Sequence, residues 1–360
     1  MRPTRRSAEA HAHRRGGHTR VRRGLGESAD ASAGPLSSAL MPASETPLQR
    51  LYWRHYDRHP AAAIAAYLRY NGLRPRALRG FRPAWIRRAV ELGLLTWPHR
   101  IAPDVRGRDV LDVGCGSGLE SIGFRLVGAR RYVGVDPRLA ADEDRVKNQR
   151  TLIYEAFGAT PREVARRLGG VELVRGSVAD LPDGERFDVA LLHNVTEHLD
   201  DLEGIFAAIH RRLRPRGLVL FNHHNFYCWN GHHEQPKTVA EVDPTDEIQK
   251  RFVDWNHLDG DEWKEKRYRG RLNRIRLDEL RELTDRLFEI REWRELPIDE
   301  RRGAGRLTPE IRARHAAYTV RELTTQAVVC RARKRAAPLQ RLAPLAPPAP
   351  PDAAAAAGSR

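Results

Sequence analysis

The sequence predicts an α/β fold, a mostly parallel sheet with helices packed against it. Three observations carry that expectation. Val110-Leu111-Asp112-Val113 reads as a buried strand, Gly114-Cys115-Gly116-Ser117-Gly118 as a tight turn, and Leu119-Glu120-Ser121-Ile122 as the start of an amphipathic helix. Arg131-Tyr132-Val133-Gly134-Val135 reads as a second strand that ends on Asp136. Arg186 to Leu192 is a near-continuous apolar run, of the kind buried on both faces of a parallel sheet.

The glycine turn is the most informative element. Glycines let a ligand approach the backbone where a Cβ would collide. Ser117 and Glu120 have the spacing of a capping box, which predicts a helix start there. Glycine-rich turns of this kind also bind dinucleotides, but Leu119 stands where that pattern needs its third glycine. Asp112 at the strand end would repel a pyrophosphate and suits a ligand carrying an ammonium and a sulfonium. Asp136, roughly 20 positions after the glycines, is placed to accept hydrogen bonds from two ribose hydroxyls. Together these segments resemble the S-adenosylmethionine-binding half of the class I methyltransferases.

That resemblance implies a Rossmann-like, seven-stranded sheet of order 3-2-1-4-5-7-6 with an antiparallel last strand. It implies an S-adenosylmethionine-dependent enzyme whose cofactor is held by Asp112, Gly114, Cys115, Gly116, Gly118, Asp136 and Pro137. It adds Ser177, Val178 and Ala179 along the adenine, and His193 at the end of the fourth strand. The family pattern before the adenine reads Gly-Asp-Ala. Here Ser177 replaces the Asp, and Asp180 is the nearest substitute.

Bulk properties exclude several classes. The chain has 360 residues, 41% of them hydrophobic, enough for a sizeable core. No run of about 18 apolar residues predicts a membrane span. The arginine-rich start lacks the apolar stretch of a secretory signal. Cys115, Cys228 and Cys330 lack metal-knuckle spacing and read as reduced thiols, so a cytoplasmic protein is expected. Of the net charge of +16, about +5 sits in each terminal stretch, which favours solvated basic tails over a nucleic-acid face.

In chain order, residues 1–44 read as a disordered basic tail and 45–104 as a helical cap or substrate region. Helices are expected around Leu48 to Tyr56, over Ala61 to Tyr70 and over Phe81 to Leu95. The methyltransferase domain is expected over 105–335. Within it, Asp142 to Leu168 reads as a long helical insertion broken by Gly158 and Pro161, and Val171 to Val174 as the third strand. A helix from Asp200 to Arg212 points Leu202, Ile205, Phe206 and Ile209 inward and Arg211, Arg212 and Arg214 outward. Pro215-Arg216-Gly217 turns the chain into a fifth strand, Leu218 to Phe221.

The segment Asn222 to His233 reads as too polar and aromatic for the core. It opens an acceptor-side insertion over 222–276, with helical pieces at Asp246 to His257 and Gly260 to Arg267. A helix at Leu277 to Leu283, a strand at Phe288 to Trp293, a helix at Thr308 to His315 and a strand at Thr324 to Cys330 close the domain. Residues 336–360, rich in Ala and Pro, read as a disordered tail.

Thr196-Glu197-His198 matches the turn after the fourth strand in ubiquinone-biosynthesis-like O-methyltransferases. A hydroxyl acceptor needs a base or a metal, and histidine is the base that titrates nearest neutral pH. His223 and His224 are the first candidates, with His193 and His198 as competitors. Some related O-methyltransferases hold Mg²⁺ through a Glu-x-x-Glu-His motif and a later histidine. Asn194 replaces the first Glu, so no metal is expected, and Glu197 and His198 are what remains of that set. No Asn-Pro-Pro-Tyr-like motif follows the fourth strand and no Pro-Cys nucleophile is present, which disfavours amino-group and pyrimidine-carbon acceptors. Tyr227, Trp229 and Trp255 either stack on an acceptor ring or pack the insertion. The expected function is O-methylation of a small-molecule or sugar hydroxyl. An RNA 2′-O-methyltransferase and a non-catalytic cofactor-binding regulator are the alternatives.

Overall fold

A computed structural model describes residues 96–143, 154, 159–259 and 272–338. All of them fall in one compact unit, 35–360; the other unit, 1–34, lies outside the described residues. The apolar runs form seven strands: β1 Asp109–Val113, β2 Arg131–Asp136, β3 Val171–Arg175, β4 Phe187–His193, β5 Leu213–His224, β6 Phe288–Pro297 and β7 Thr325–Lys334. Their order is β3-β2-β1-β4-β5-β7-β6, as expected. Strands β1 to β5 pair in parallel, and β7 runs antiparallel between β5 and β6.

The central strands β1, β2 and β4 are buried on both faces, which is why they lack polar alternation, whereas the edge strands β3 and β6 carry charged residues between their apolar ones. Val110, Tyr132, Val189 and Leu191 pack on one side with Ile122 and Phe124. Leu111, Val113, Val133, Ala190 and Leu192 pack on the other with Phe206 and Phe221. The α-helices among the described residues are α1 Thr96–Arg100, α2 Ala102–Val105, α3 Glu120–Leu126, α4 Pro161–Leu168, α5 Leu202–Arg212, α6 Leu277–Leu287, α7 Pro309–Arg314 and α8 Val320–Thr324. Among the described residues no helix is long and apolar enough to cross a membrane.

Several sequence expectations need correction. Helix α3 is capped by Leu119 with no side-chain hydrogen bond, so Ser117 and Glu120 do not form a capping box. The Ser117 carbonyl instead accepts a hydrogen bond from the Tyr154 hydroxyl at 2.7 Å. Pro161 starts α4 rather than breaking a longer helix; Thr160 and Glu163 cap each other there. Strand β5 begins at Leu213, with its register against β4 shifting between Phe187 and Val189. It also runs on through Asn222, His223 and His224, all buried. Strand β7 continues four residues past Cys330, and α8 was not foreseen.

The segment after β5 is core, not an excursion from it. Cys228 and Trp229 pack with Val253, Trp255, Ile298 and Leu323. Some of its polar groups are matched internally: Asn225 Nδ2 donates to the Glu322 and Thr325 carbonyls at 2.7 and 2.6 Å. Burial of such a segment requires that matching. The helices expected before Thr96, at 144–153 and at Gly260 to Arg267, and the tail regions 1–44 and 339–360, lie outside the described residues.

Candidate functional site

The C-terminal edge of the parallel strands gathers the cofactor-side residues. The glycine turn is sewn to β2: Gly114 and Cys115 N–H both donate to the Val135 carbonyl, at 2.8 and 3.2 Å. Gly116 N–H donates to Asp136 Oδ2 at 2.9 Å, and Arg138 N–H to Oδ1 at 2.7 Å. A carboxylate accepts about four hydrogen bonds, so Asp136 keeps capacity for a ligand. The glycines have different duties. Gly114, at φ +76, has no room for a Cβ because the Val195 side chain fills the space, whereas a Cβ on Gly116 would meet nothing within 4 Å. The turn after β4 therefore seats directly on the glycine turn, and Gly116 faces open space.

Asp112 and Cys115 sit differently from the others. The Asp112 carboxylate is buried and accepts a hydrogen bond from the Tyr132 hydroxyl at 2.5 Å. Burial pushes its pKa up to about 7. Cys115 is buried against Gly134, and burial pushes its thiol well above the ordinary range. Pro137 is exposed at the β2 exit.

Ser177, Val178 and Ala179 lie in the loop after β3. Ser177 caps a short helical turn, and Asp180 Oδ2 accepts the Ser177 N–H at 2.7 Å, so Asp180 braces this loop from within. The loop has a second brace that the sequence pattern missed. Arg212 is not on the outer face of α5; it is 7% exposed. Its guanidinium donates to the carbonyls of Val178 at 2.8 Å, Ala179 at 3.1 Å, Pro182 at 2.6 Å, and to that of Leu181.

The ends of β4 and β5 carry the histidines. His193 stacks on Trp97 of α1, rings 4.1 Å apart and 5° from parallel. Asn194, at φ +53, is tied to Asn222: its N–H donates to Asn222 Oδ1 at 2.9 Å, and the two amides bond each other. His223 and His224, as the last residues of a central strand, are 1% and 2% exposed. Burial holds both pKa values down to about 3. His223 Nδ1 lies 3.1 Å from Thr196 Oγ1, and His224 Nδ1 2.5 Å from His233 Nε2. His232 is fully buried and stacks on Phe252.

His198 and His233 complete the cluster. Their rings lie 5.2 Å apart, edge to face. His198 Nε2 is 3.9 Å from the Glu197 carboxylate, and the His198 side chain is 34% exposed against 3% for Glu197. Burial pushes Glu197 up to about 7. One ligand atom from each of Glu197, His198 and His233 lies within 4.8 Å of the others, a separation compatible with a shared cation. Asn273 fixes this turn from the approach to α6, donating through Nδ2 to the Thr196 and Leu199 carbonyls at 2.6 and 2.9 Å. Tyr227, Trp229 and Trp255 pack: Trp229 and Trp255 are fully buried, and the Tyr227 hydroxyl donates to the Arg274 carbonyl at 2.5 Å.

A family model described as a methyltransferase domain matches residues 86–287. The chain is 26% identical over 194 residues to a ubiquinone biosynthesis O-methyltransferase of Rhodopseudomonas palustris, covering 52% of this chain and 64% of that one. It is 31% identical over 128 residues to the ubiquinone biosynthesis O-methyltransferase of Thiobacillus denitrificans, 36% of this chain and 49% of that one. The chain thus spans less than two thirds of the length of these relatives. A crystal structure of an S-adenosylmethionine-dependent methyltransferase from Mesorhizobium loti superposes with a TM-score of 0.37 at 16% identity, over 66% of this chain and 96% of that one.

Proposed function

This chain belongs to the class I S-adenosylmethionine-dependent methyltransferases, and from that premise we propose that it methylates a hydroxyl group on a small molecule or sugar. The observation that carries the reading is the cluster of Glu197, His198 and His233, which follows β4 and β5 beside the glycine turn. The O-methyltransferase relatives support the same acceptor class.

The residues fit the cofactor: Gly116 faces free space and Asp136 has lone pairs to spare. Asp136 would hold the ribose hydroxyls, and the backbone of Ser177, Val178 and Ala179, fixed by Arg212, would lie along the adenine. Bound S-adenosylmethionine supplies a methyl group carried on a sulfonium. An alcohol must lose its proton as it attacks, and a side chain placed to take that proton contributes about 10²–10⁴-fold in rate. His198 is the imidazole of the cluster that an acceptor can reach. His223 and His224 are buried and weakly basic, so their proposed role is to shape the wall through Thr196 and His233.

Calorimetry with S-adenosylhomocysteine tests the cofactor side. Asp136→Ala should weaken binding by roughly 30-fold, the loss of about 2 kcal/mol of charged hydrogen bonding. Labelled-methyl transfer to a panel of phenols and sugars tests the acceptor side, where His198→Ala should lower kcat by about 10²-fold or more. An unchanged Kd in the first variant, or full turnover in the second, would overturn the corresponding assignment.

A further inference from the structure

We propose that Asn194 selects the acceptor. Its side-chain amide donates a hydrogen bond to a second group, next to the hydroxyl that is methylated, that accepts and does not donate: a carbonyl, carboxylate or ether oxygen. The inference rests on the reading of the end of β4 as the acceptor side, and names the substrate feature recognised there.

The place of Asn194 is the first support. It is the first residue past β4, at the edge where open α/β sheets bind ligands. The next residue, Val195, fills the space beside Gly114 of the glycine turn. The His198 N–H donates to the Val195 carbonyl at 2.9 Å. One tight turn therefore carries Asn194, the contact with the glycine turn and the imidazole assigned as base. Asn194 adopts φ +53. Asparagine is one of the few side chains that visit this left-handed region, and from there its amide reaches back to Asn222 of β5.

The bonding of the two amides is the second support, because it fixes which atom Asn194 presents. Asn222 stands opposite His193 in the β4–β5 pairing and is 4% exposed. The Asn194 N–H needs an acceptor, so the Asn222 atom it meets at 2.9 Å is Oδ1. Asn222 Nδ2 then faces Asn194 and donates, so the atom that Asn194 offers in return is Oδ1. What remains is Asn194 Nδ2, with its two N–H groups. Among the described residues it meets no acceptor, and on this half-buried residue it is open to solvent.

Bracing the turn does not require this arrangement. The bond from the Asn194 N–H already ties the turn to β5. The second bond uses up the Asn194 carbonyl and leaves a group that can only donate. Such a group pairs with an oxygen lone pair and is left unsatisfied beside an amine. A site built to hydrogen-bond one substrate group discriminates against analogues that lack it, since its own polar atom then goes unpaired.

The test compares three phenols as acceptors for the full chain at saturating S-adenosylmethionine, followed as O-methyl product. In ortho-hydroxyacetophenone the neighbouring carbonyl accepts; in ortho-aminophenol the neighbouring amine donates; phenol has neither. kcat/KM should be about ten-fold or more higher for the carbonyl compound than for the other two. Asn194→Asp puts an acceptor where Nδ2 stands and should reverse the order of carbonyl and amine. Asn222→Asp should reverse it as well, without touching the acceptor, because a carboxylate there draws Asn194 Nδ2 inward and turns its carbonyl out. A mere brace would lower turnover of all three compounds alike. If circular dichroism shows that Asn222→Asp does not fold, Asn194→Asp decides alone. Equal rates for the three in the wild type, turnover of none of them, or an unchanged order in Asn194→Asp would overturn the proposal. Calorimetry of the three compounds against the S-adenosylhomocysteine complex separates the two readings. Binding in the expected order with no methyl transferred defeats the hydroxyl reading and leaves Asn194 standing. Methyl transfer in an order that ignores both substitutions defeats the role of Asn194 alone.

Discussion

Arg212 shows how one charged residue can organise a binding loop without meeting an opposite charge. Its guanidinium gathers four carbonyls from residues 178–182, each of which would otherwise need another donor. Hydrogen bonds to a charged donor contribute about 1.5–3 kcal/mol each where buried, though not additively. Arg212→Ala should cost about 2–4 kcal/mol in urea unfolding and weaken S-adenosylhomocysteine in calorimetry, while Arg211→Ala, on the exposed face, should do neither. Helical periodicity placed Arg212 with Arg211 and Arg214 in solvent because it reads residue type against position. The carbonyl cage comes from a loop about 30 residues earlier in the chain, which no local pattern reports. The same limit applies to Asp112. Its place at a strand end was legible, but its burial against Tyr132 depends on the neighbouring strand. Its carboxyl binds a proton in the folded protein up to about pH 7, whereas in the unfolded chain it ionises near 3.8. Ionisation therefore destabilises the fold as pH rises through that window. Thermal melts should show Asp112→Asn gaining on the wild type between pH 4 and 7; parallel Tm curves across that range would contradict this.

At the level of elements, the glycine turn and the turn after β4 behave as one unit. Val195 occupies the space a Gly114 Cβ would need. Gly114→Ala carries two costs: about 1–2 kcal/mol for a side chain at φ +76, and about 1–3 kcal/mol for overpacking. Val195→Ala in the same chain should recover the second and not the first. Additive losses in a double-mutant cycle by urea unfolding would show that the two turns do not press on each other. The glycine turn itself was readable, since its spacing and its flanking strands are local. The end of β5 was not. Asn222 to His233 looks like a surface excursion by composition, yet it is core because partners far away in the chain satisfy it. Asn225 finds its acceptors at Glu322 and Thr325, and His257 approaches the Phe226 carbonyl at 3.0 Å. Likewise His233 closes that same segment in the sequence, but its convergence with Glu197 and His198 depends on the loop folding back.

For the whole molecule, the strand order followed from the family resemblance and holds. What that order does is force a run of histidines at the end of a central strand into the interior, and the consequence is a stability that depends steeply on pH. Burial holds His223 and His224 near pKa 3 and His257 near 4, and depresses His232 and His233 as well. Below the ordinary value of 6.5 the unfolded chain takes up protons at these five rings that the folded chain refuses. Asp112 and Glu197, raised to about 7, work the other way, since the folded chain keeps protons there that the unfolded chain releases. Five rings against two carboxyls leave unfolding with a net uptake of about three protons near pH 5.5, at most about 4 kcal/mol lost per pH unit of acidification. Between pH 6.5 and 7 the rings and carboxyls nearly cancel, net uptake falling from about one proton to near zero, and the slope is shallow. Calorimetric melts in the presence of chelator should show Tm rising to a plateau near pH 7–7.5. The decline below pH 6 should be steep, and His257→Gln should make it less so. A Tm that stays level from pH 7 down to 5 would mean that these rings are protonated in the folded state, and that the sheet end is wetter than its packing indicates.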